Sequence, residues 1–292
     1  MRLHLVDGTY ELFRAHFSKR PNYAAADGTP LKATVGLVSS MLGLLSDPAE
    51  RPTHLAVAFD NPIRSFRNEL FAGYKTDEGV PEELLAQFDV AELATRALGL
   101  TVWSMREFEA DDALAAGASR FLTQVEQVRI LTPDKDLGQC LKGAQVVQVD
   151  RMRQRVIDEP ALRALRGVGP ESIPDWLALV GDDADGYPGL AGFGEKGAAL
   201  LLARFGKLEQ VPRDPRLWPE GLRGRDHLAQ TFFSHFEEAL LYRTLATLRT
   251  DAPIDDSLTA LEYRGVPREP FETFCAQAGV NGLRARVNRW AE

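Results

Sequence analysis

The runs LHLV at 3–6, LAVAF at 55–59 and VRILT at 128–132 decide the fold. They are short, apolar and partly β-branched, without the polar alternation of a half-exposed strand. That is the form of strands buried on both faces of a parallel sheet. TVWS at 101–104 and QVVQV at 145–149 add two further candidates. Between them lie helical spacings: Val35, Val38, Met41, Leu42 and Leu45 within 34–45, and Leu84, Leu85, Phe88 and Leu93 within 84–98. Alternating strand and helix predicts an α/β domain over residues 1–160. Beyond it, 161–165, 173–180, 198–205 and 228–248 read as helices separated by Gly and Pro turns, which gives a helical region over 161–292.

A chain of 292 residues with 45% apolar and 26% charged residues can bury a substantial core. No stretch approaches the roughly eighteen apolar residues of a membrane span, and Asp7 interrupts the N-terminus before a signal-like segment forms, so a cytoplasmic protein without membrane partners is expected. Cys140 and Cys275 are too few and too isolated for a disulfide framework or a zinc site. The net charge of −8 argues against a nucleic-acid partner only until the acids are located. Setting aside the nine carboxylates discussed next leaves 33 acids against 34 basic residues, so the remaining surface is near neutral.

In an open α/β sheet, function gathers beyond the carboxyl ends of the strands. Asp7, Asp60 and Asp134 all fall there. One such Asp is an ordinary helix cap; three strand ends repeating it ask for another cause. EADD at 109–112 opens a helix, with Glu109 and Asp112 on one face and Asp111 at the mouth. TPDKD at 132–136 sets Asp134 and Asp136 on the same side of an extended segment, and GDDADG at 181–186 brings Asp182 and Asp185 at helical spacing. A calcium loop of EF-hand type fails, because the position that needs Glu is Gly192. So many carboxylates together repel one another unless cations intervene. Oxygen ligands without His or Cys select two Mg²⁺ or Mn²⁺ ions, which cleave a phosphodiester when about 3.5 to 4 Å apart.

GLAGFGEKG at 189–197 contains GxGxxG at Gly192, Gly194 and Gly197, but no strand precedes it, so it is not a dinucleotide fingerprint. It fails equally as a P-loop. A helix starting near Glu195 after tight turns would still present backbone N–H groups to a phosphate, with Lys196 beside them. DGT at 7–9 hints at an aspartyl phosphatase, but the second Asp that chemistry needs is replaced by Leu5.

LVDG, FD, SFR followed by GYK, EADD, TPDKDL, GDDAD and PGLAGFGEKGA, in this order across nearly the whole chain, together resemble the 5′-nuclease family. That family includes the N-terminal domain of bacterial family A DNA polymerases, phage 5′ exonucleases and flap endonucleases. The resemblance implies a PIN-like parallel sheet flanked by helices, an arch near 66–95 and a helix-three-turn-helix near 181–205. It implies that Asp7, Asp60, Glu109, Asp111 and Asp112 form a first metal group and Asp134, Asp136, Asp182 and Asp185 a second. Lys75 and Arg67 then hold the scissile phosphate and Tyr74 stacks on a base. Gly189, Gly192, Gly194, Lys196 and Gly197 bind duplex DNA, with a potassium ion on backbone groups of Gly189, Gly192 and Gly194. Three departures stand out: an acidic arch (Asp77, Glu78, Glu82, Glu83), Ala191 where Lys is common, and Gly186 where Asn is usual.

The expected activity is that of a 5′ to 3′ exonuclease and flap endonuclease, in replication or repair, acting on branched or 5′-ended DNA, with RNA/DNA hybrids as a further substrate class. The rivals are a branched-DNA-binding protein that does not cut and a PIN-like ribonuclease.

Overall fold

The structure, a computed structural model, describes residues 1–292. Six strands form one sheet: β1 (Arg2–Asp7), β2 (His54–Asp60), β3 (Thr101–Met105), β4 (Gln127–Leu131), β5 (Val146–Asp150) and β6 (Arg155–Ile157), in the order β3-β2-β1-β4-β5-β6. The first five are parallel, and their bounds lie within a residue or two of the apolar runs that predicted them. β6 turns back antiparallel to β5 and was not expected, because RVI is only three residues long and follows a run of arginines. The strand order reverses between β1 and β4, so the loops after these strands diverge and leave a crevice at the carboxyl end.

Both faces of the sheet are buried. Val6, Val57, Phe59 and Leu131 pack under the helices Lys32–Ser46 and Phe88–Ala97, and Leu3, Leu5, Ala56, Ala58 and Ile130 under Ala110–Phe121. A separate core around Trp176, Tyr187, Phe232 and Tyr242 holds the helical region. No helix is long and apolar enough to cross a membrane.

Three expectations are corrected here. The helix expected over 84–98 is two, Glu82–Leu85 and Phe88–Ala97, and the break frees Gln87. The fully buried Gln87 amide oxygen accepts from Ala33 N–H at 3.0 Å, Thr34 N–H at 3.1 Å and the Thr34 hydroxyl at 3.3 Å, so it caps the helix Lys32–Ser46 from outside. The helix expected over 228–248 splits at His235 into Arg225–Ser234 and Phe236–Ala246, each burying its own face. Residues after 250, assigned to the helical region, instead return to the sheet: Tyr263 N–H donates to Thr53 O, and Val266, Phe271 and Cys275 join the core beneath β2. Their apolar positions are sparse, so the sequence does not say which core they enter.

Gln87→Leu keeps the volume and removes the acceptor, leaving buried donors unpaired. A loss of about 2 kcal/mol is expected in urea unfolding.

Candidate active site

Three strand ends deliver acids to the crevice, and two helices begin there. Asp7 closes β1 and caps the helix Gly8–His16: one oxygen accepts from Tyr10 N–H at 2.8 Å, the other from the Thr132 hydroxyl at 2.9 Å. Asp60 closes β2 and accepts from Ala110 N–H at 2.7 Å, at the start of helix Ala110–Phe121, while its own N–H donates to Thr9 Oγ1 at 2.8 Å. Glu109 caps that helix, and Asp112 completes a capping box with it. The positive ends of the two helix dipoles favour acids at these positions.

The turn after β4 carries Asp134, which is exposed and accepts from Asp136 N–H at 2.9 Å. Asp136 is buried, and its Oδ1 has no hydrogen-bond partner. Asp182 and Asp185 arrive on a turn closed by Asp182 N–H to Tyr187 O at 2.8 Å and Gly186 N–H to Asp182 O at 2.9 Å. Asp136, Asp182 and Asp185 each present a carboxylate oxygen, all within 4.8 Å of one another.

Burial pushes Asp7, Asp60, Asp111, Asp136 and Asp185 upward, and repulsion from neighbouring acids adds to it. Asp7 reaches about 7, with Asp60 and Asp134 contributing. Asp111 is raised well above the ordinary range by burial, then by Asp134, Asp7 and Asp60; Asp136 likewise by burial, then by Asp134, Asp185 and Asp182. Asp60 and Asp185 also rise by burial, despite Lys75 nearby. Asp134 repels members of both expected groups, so the two share one electrostatic field. Glu109 differs: burial opposes its ionisation, but Lys75 and Arg67 override it and hold it at about 2.

Four expected site residues are placed otherwise. Arg67 is only 1% exposed; it grips Asp112 through two hydrogen bonds of 2.8 Å, reaches Glu109 at 3.0 Å and donates to the carbonyls of Leu245 and Thr247. Its donors are committed within the protein, and no face remains for a phosphate. Asp112 is correspondingly sealed by Arg67, Glu109 N–H and Arg249 N–H, which removes it from any ion. Tyr74 is 3% exposed with its hydroxyl on Glu109 at 3.2 Å, so it supports that acid and offers no ring face to a base. Gly197 lies against Leu222, where an added Cβ would meet Cδ1 at 3.1 Å; it serves helix packing.

The other basic residue, Lys75, lies 2.8 Å from Glu109 and 2.9 Å from Asp185. Lys135, visible inside TPDKD but not singled out by the sequence reading, lies 3.0 Å from Asp182. Ser65, whose hydroxyl donates to Glu109 at 2.6 Å, and Thr132 were also missed; small hydroxyls give no signal before the fold is known. Gly189 and Gly192 adopt positive φ of 67° and 88°, and at Gly189 a Cβ would sit 2.4 Å from Gly181 N. They turn the chain into the helix Glu195–Phe205, whose N-terminus leaves Gly194 and Lys196 exposed. Cys140 ends the turn Asp136–Cys140; burial, then Asp111 and Asp112, push its thiol to about 12, so it is not a nucleophile at neutral pH.

Comparison with known proteins places these features in context. A 5'-3' exonuclease N-terminal resolvase-like domain matches residues 2–165, and a 5'-3' exonuclease C-terminal SAM fold matches 168–269. DNA polymerase I of Rhizobium leguminosarum is 36% identical over 265 residues, covering 89% of this chain and 26% of that protein. This chain thus spans about a quarter of that relative's length. The 5'-3' exonuclease of Aquifex aeolicus is 33% identical over 210 residues, covering 72% of this chain and 71% of that one. In fold, the chain is similar to T5 5'-exonuclease with bound zinc (TM-score 0.67, 20% identity, covering 94% and 97% of the two chains). It is also similar to the catalytic core of Rad2 in complex with DNA substrate (TM-score 0.64, 16% identity, covering 99% and 92%).

Two outcomes follow from the geometry. Gly186 has φ of 84°, and a Cβ there would lie 2.3 Å from Gly73 O, beside the Lys75 N–H to Asp185 O bond of 2.9 Å. Gly186→Ala should cost at least about 1 to 2 kcal/mol in urea unfolding through the backbone alone. The raised carboxyls bind protons more readily folded than unfolded, so their contribution to stability is present at pH 4 and is lost as the pH rises toward 7. In EDTA, Asp7→Asn should therefore gain several degrees in Tm over the parent at pH 7.5 and little at pH 4.5, as read by calorimetry.

Proposed function

Because the chain belongs to the 5'-3' exonuclease family, we propose that it is a divalent-metal-dependent 5′ to 3′ exonuclease and 5′-flap endonuclease that hydrolyses DNA phosphodiesters in replication or repair. One observation carries the reading: Asp136 has a buried, unpartnered Oδ1 and offers a carboxylate oxygen within 4.8 Å of those of Asp182 and Asp185. A buried carboxylate oxygen without a donor is costly, and a hard cation is the partner that resolves it.

The donor set fits two such ions, Mg²⁺ or Mn²⁺, held by Asp7, Asp60, Glu109, Asp111, Asp134, Asp136, Asp182 and Asp185. When bound, they supply an activated water and charge neutralisation at the scissile phosphate. The protein's own groups do the rest. Asp7 and Asp60 are locked by hydrogen bonds to the two helix starts, so the crevice keeps its shape without reorganisation. Arg67 acts as a positioning residue through Glu109 and Asp112. Lys75, half-buried at the crevice edge, is a cation within reach of an incoming phosphate. The N-terminus of helix Glu195–Phe205, with Lys196, holds a duplex phosphate, and the carbonyls of Gly189, Gly192 and Gly194 are the candidates for a potassium ion. The names of two neighbours, a T5 flap endonuclease pseudo-enzyme-product complex with DNA and metal ions and the Rad2 core with DNA substrate, support a branched or 5′-ended DNA substrate.

The decisive experiment incubates labelled 5′-flap DNA and a matched RNA strand with the protein in Mg²⁺ and in EDTA. Cleavage of the DNA near the junction, in Mg²⁺ only, is expected, and Asp136→Ala should lower it on the order of a hundredfold or more while flap binding persists. Binding without products would favour the non-cutting alternative, and preferential RNA cleavage the ribonuclease.

A further inference from the structure

Two ammonium groups occupy the acid crevice. Lys135 turns its Nζ onto Asp182 Oδ2 at 3.0 Å and approaches the Gly181 carbonyl at 3.5 Å. Lys75 bridges Glu109 Oε2 at 2.8 Å and Asp185 Oδ1 at 2.9 Å. These contacts use oxygens that the divalent ions of the proposed function would need. We propose that Lys75 and Lys135 are the resident cations of the crevice: they neutralise it when no divalent ion is bound, and ion loading expels both ammonium groups toward the substrate's phosphate. The inference rests on the metal-dependent reading above.

The contrast with Arg67 supports an exchange of this kind. Arg67 is locked by a bidentate contact, a second acid and two carbonyls, at 1% exposure. The two lysines are 24% and 26% exposed, so each has solvent beside it into which its flexible stem can swing. Their backbones do not need to follow. Lys75 N–H is held by Asp185 O at 2.9 Å and its carbonyl accepts from Asn68 Nδ2 at 2.9 Å; the Lys135 carbonyl accepts from Gly138 N–H at 3.1 Å. Only the side chains move. A divalent ion carries twice the charge of the ammonium it replaces and is attracted correspondingly more strongly by the carboxylates, while the internal competitor weakens its apparent affinity by the fraction of sites left vacant. Binding of the ion and presentation of positive charge to the phosphate then become one event.

Amine acylation of the full chain, followed by peptide mass spectrometry in EDTA and in saturating Mn²⁺, tests this on the unaltered protein. Labelling of Lys75 and Lys135 should rise several-fold with Mn²⁺, while the exposed Lys196 stays unchanged. Calorimetric titration provides a second reading: Lys135→Met should bind Mn²⁺ about tenfold more tightly than the parent, because no ammonium has to leave. Unchanged labelling of both lysines, or equal or weaker Mn²⁺ binding by folded Lys135→Met, overturns the proposal; should that variant not fold, the labelling decides. If the parent takes up no Mn²⁺ at all, the metal-dependent reading fails and this proposal with it.

Discussion

The repulsion among carboxylates at one end of a parallel sheet governs the rest of the molecule. Two like charges about 4 Å apart at an effective dielectric near 20 cost about 4 kcal/mol, and Asp136, Asp182 and Asp185 bring carboxylate oxygens within 4.8 Å of one another here. The chain meets the cost in three ways. Asp7, Asp111 and Asp136 are pushed toward holding a proton. Asp7 and Asp60 are solvated by backbone N–H groups and hydroxyls. Glu109 and Asp112 face Arg67, whose charge is permanent.

This division of labour separates scaffold from working surface. Arg67, Asp112, Tyr74 and Ser65 form a dry support behind Glu109, while Asp136, Asp182 and Asp185 bring carboxylate oxygens within 4.8 Å of one another beside the exposed Asp134. Position 186 is restricted to glycine because the backbone of Gly73 passes too close for any side chain. The close passage brings Lys75 and Asp185 together.

The sheet was legible because its cause is local. A buried parallel strand is a continuous apolar run, and an Asp directly after it marks the carboxyl end, so Asp7, Asp60 and Asp134 could be aligned from sequence alone. Arg67 and Asp112, 45 residues apart, could not. Nothing near Arg67 distinguishes an arginine that meets a phosphate from one buried on a carboxylate. Tyr74 was misread for the same reason, since its partner Glu109 lies 35 residues away. The break at Gln87 was hidden because its purpose, capping the helix Lys32–Ser46, belongs to another part of the chain.

The return of the residues after 250 to the sheet has a consequence for how the molecule is made. Val266, Phe271 and Cys275 cover the same core as Val57 and Phe59, although more than two hundred residues of synthesis separate them. Helices Lys32–Ser46 and Phe88–Ala97 can cover most of this sheet face early, but the part beneath Val266, Phe271 and Cys275 stays open until those residues have been synthesised. The helical region, whose core is contiguous in sequence from about 141 to 246 apart from Tyr74, can consolidate first.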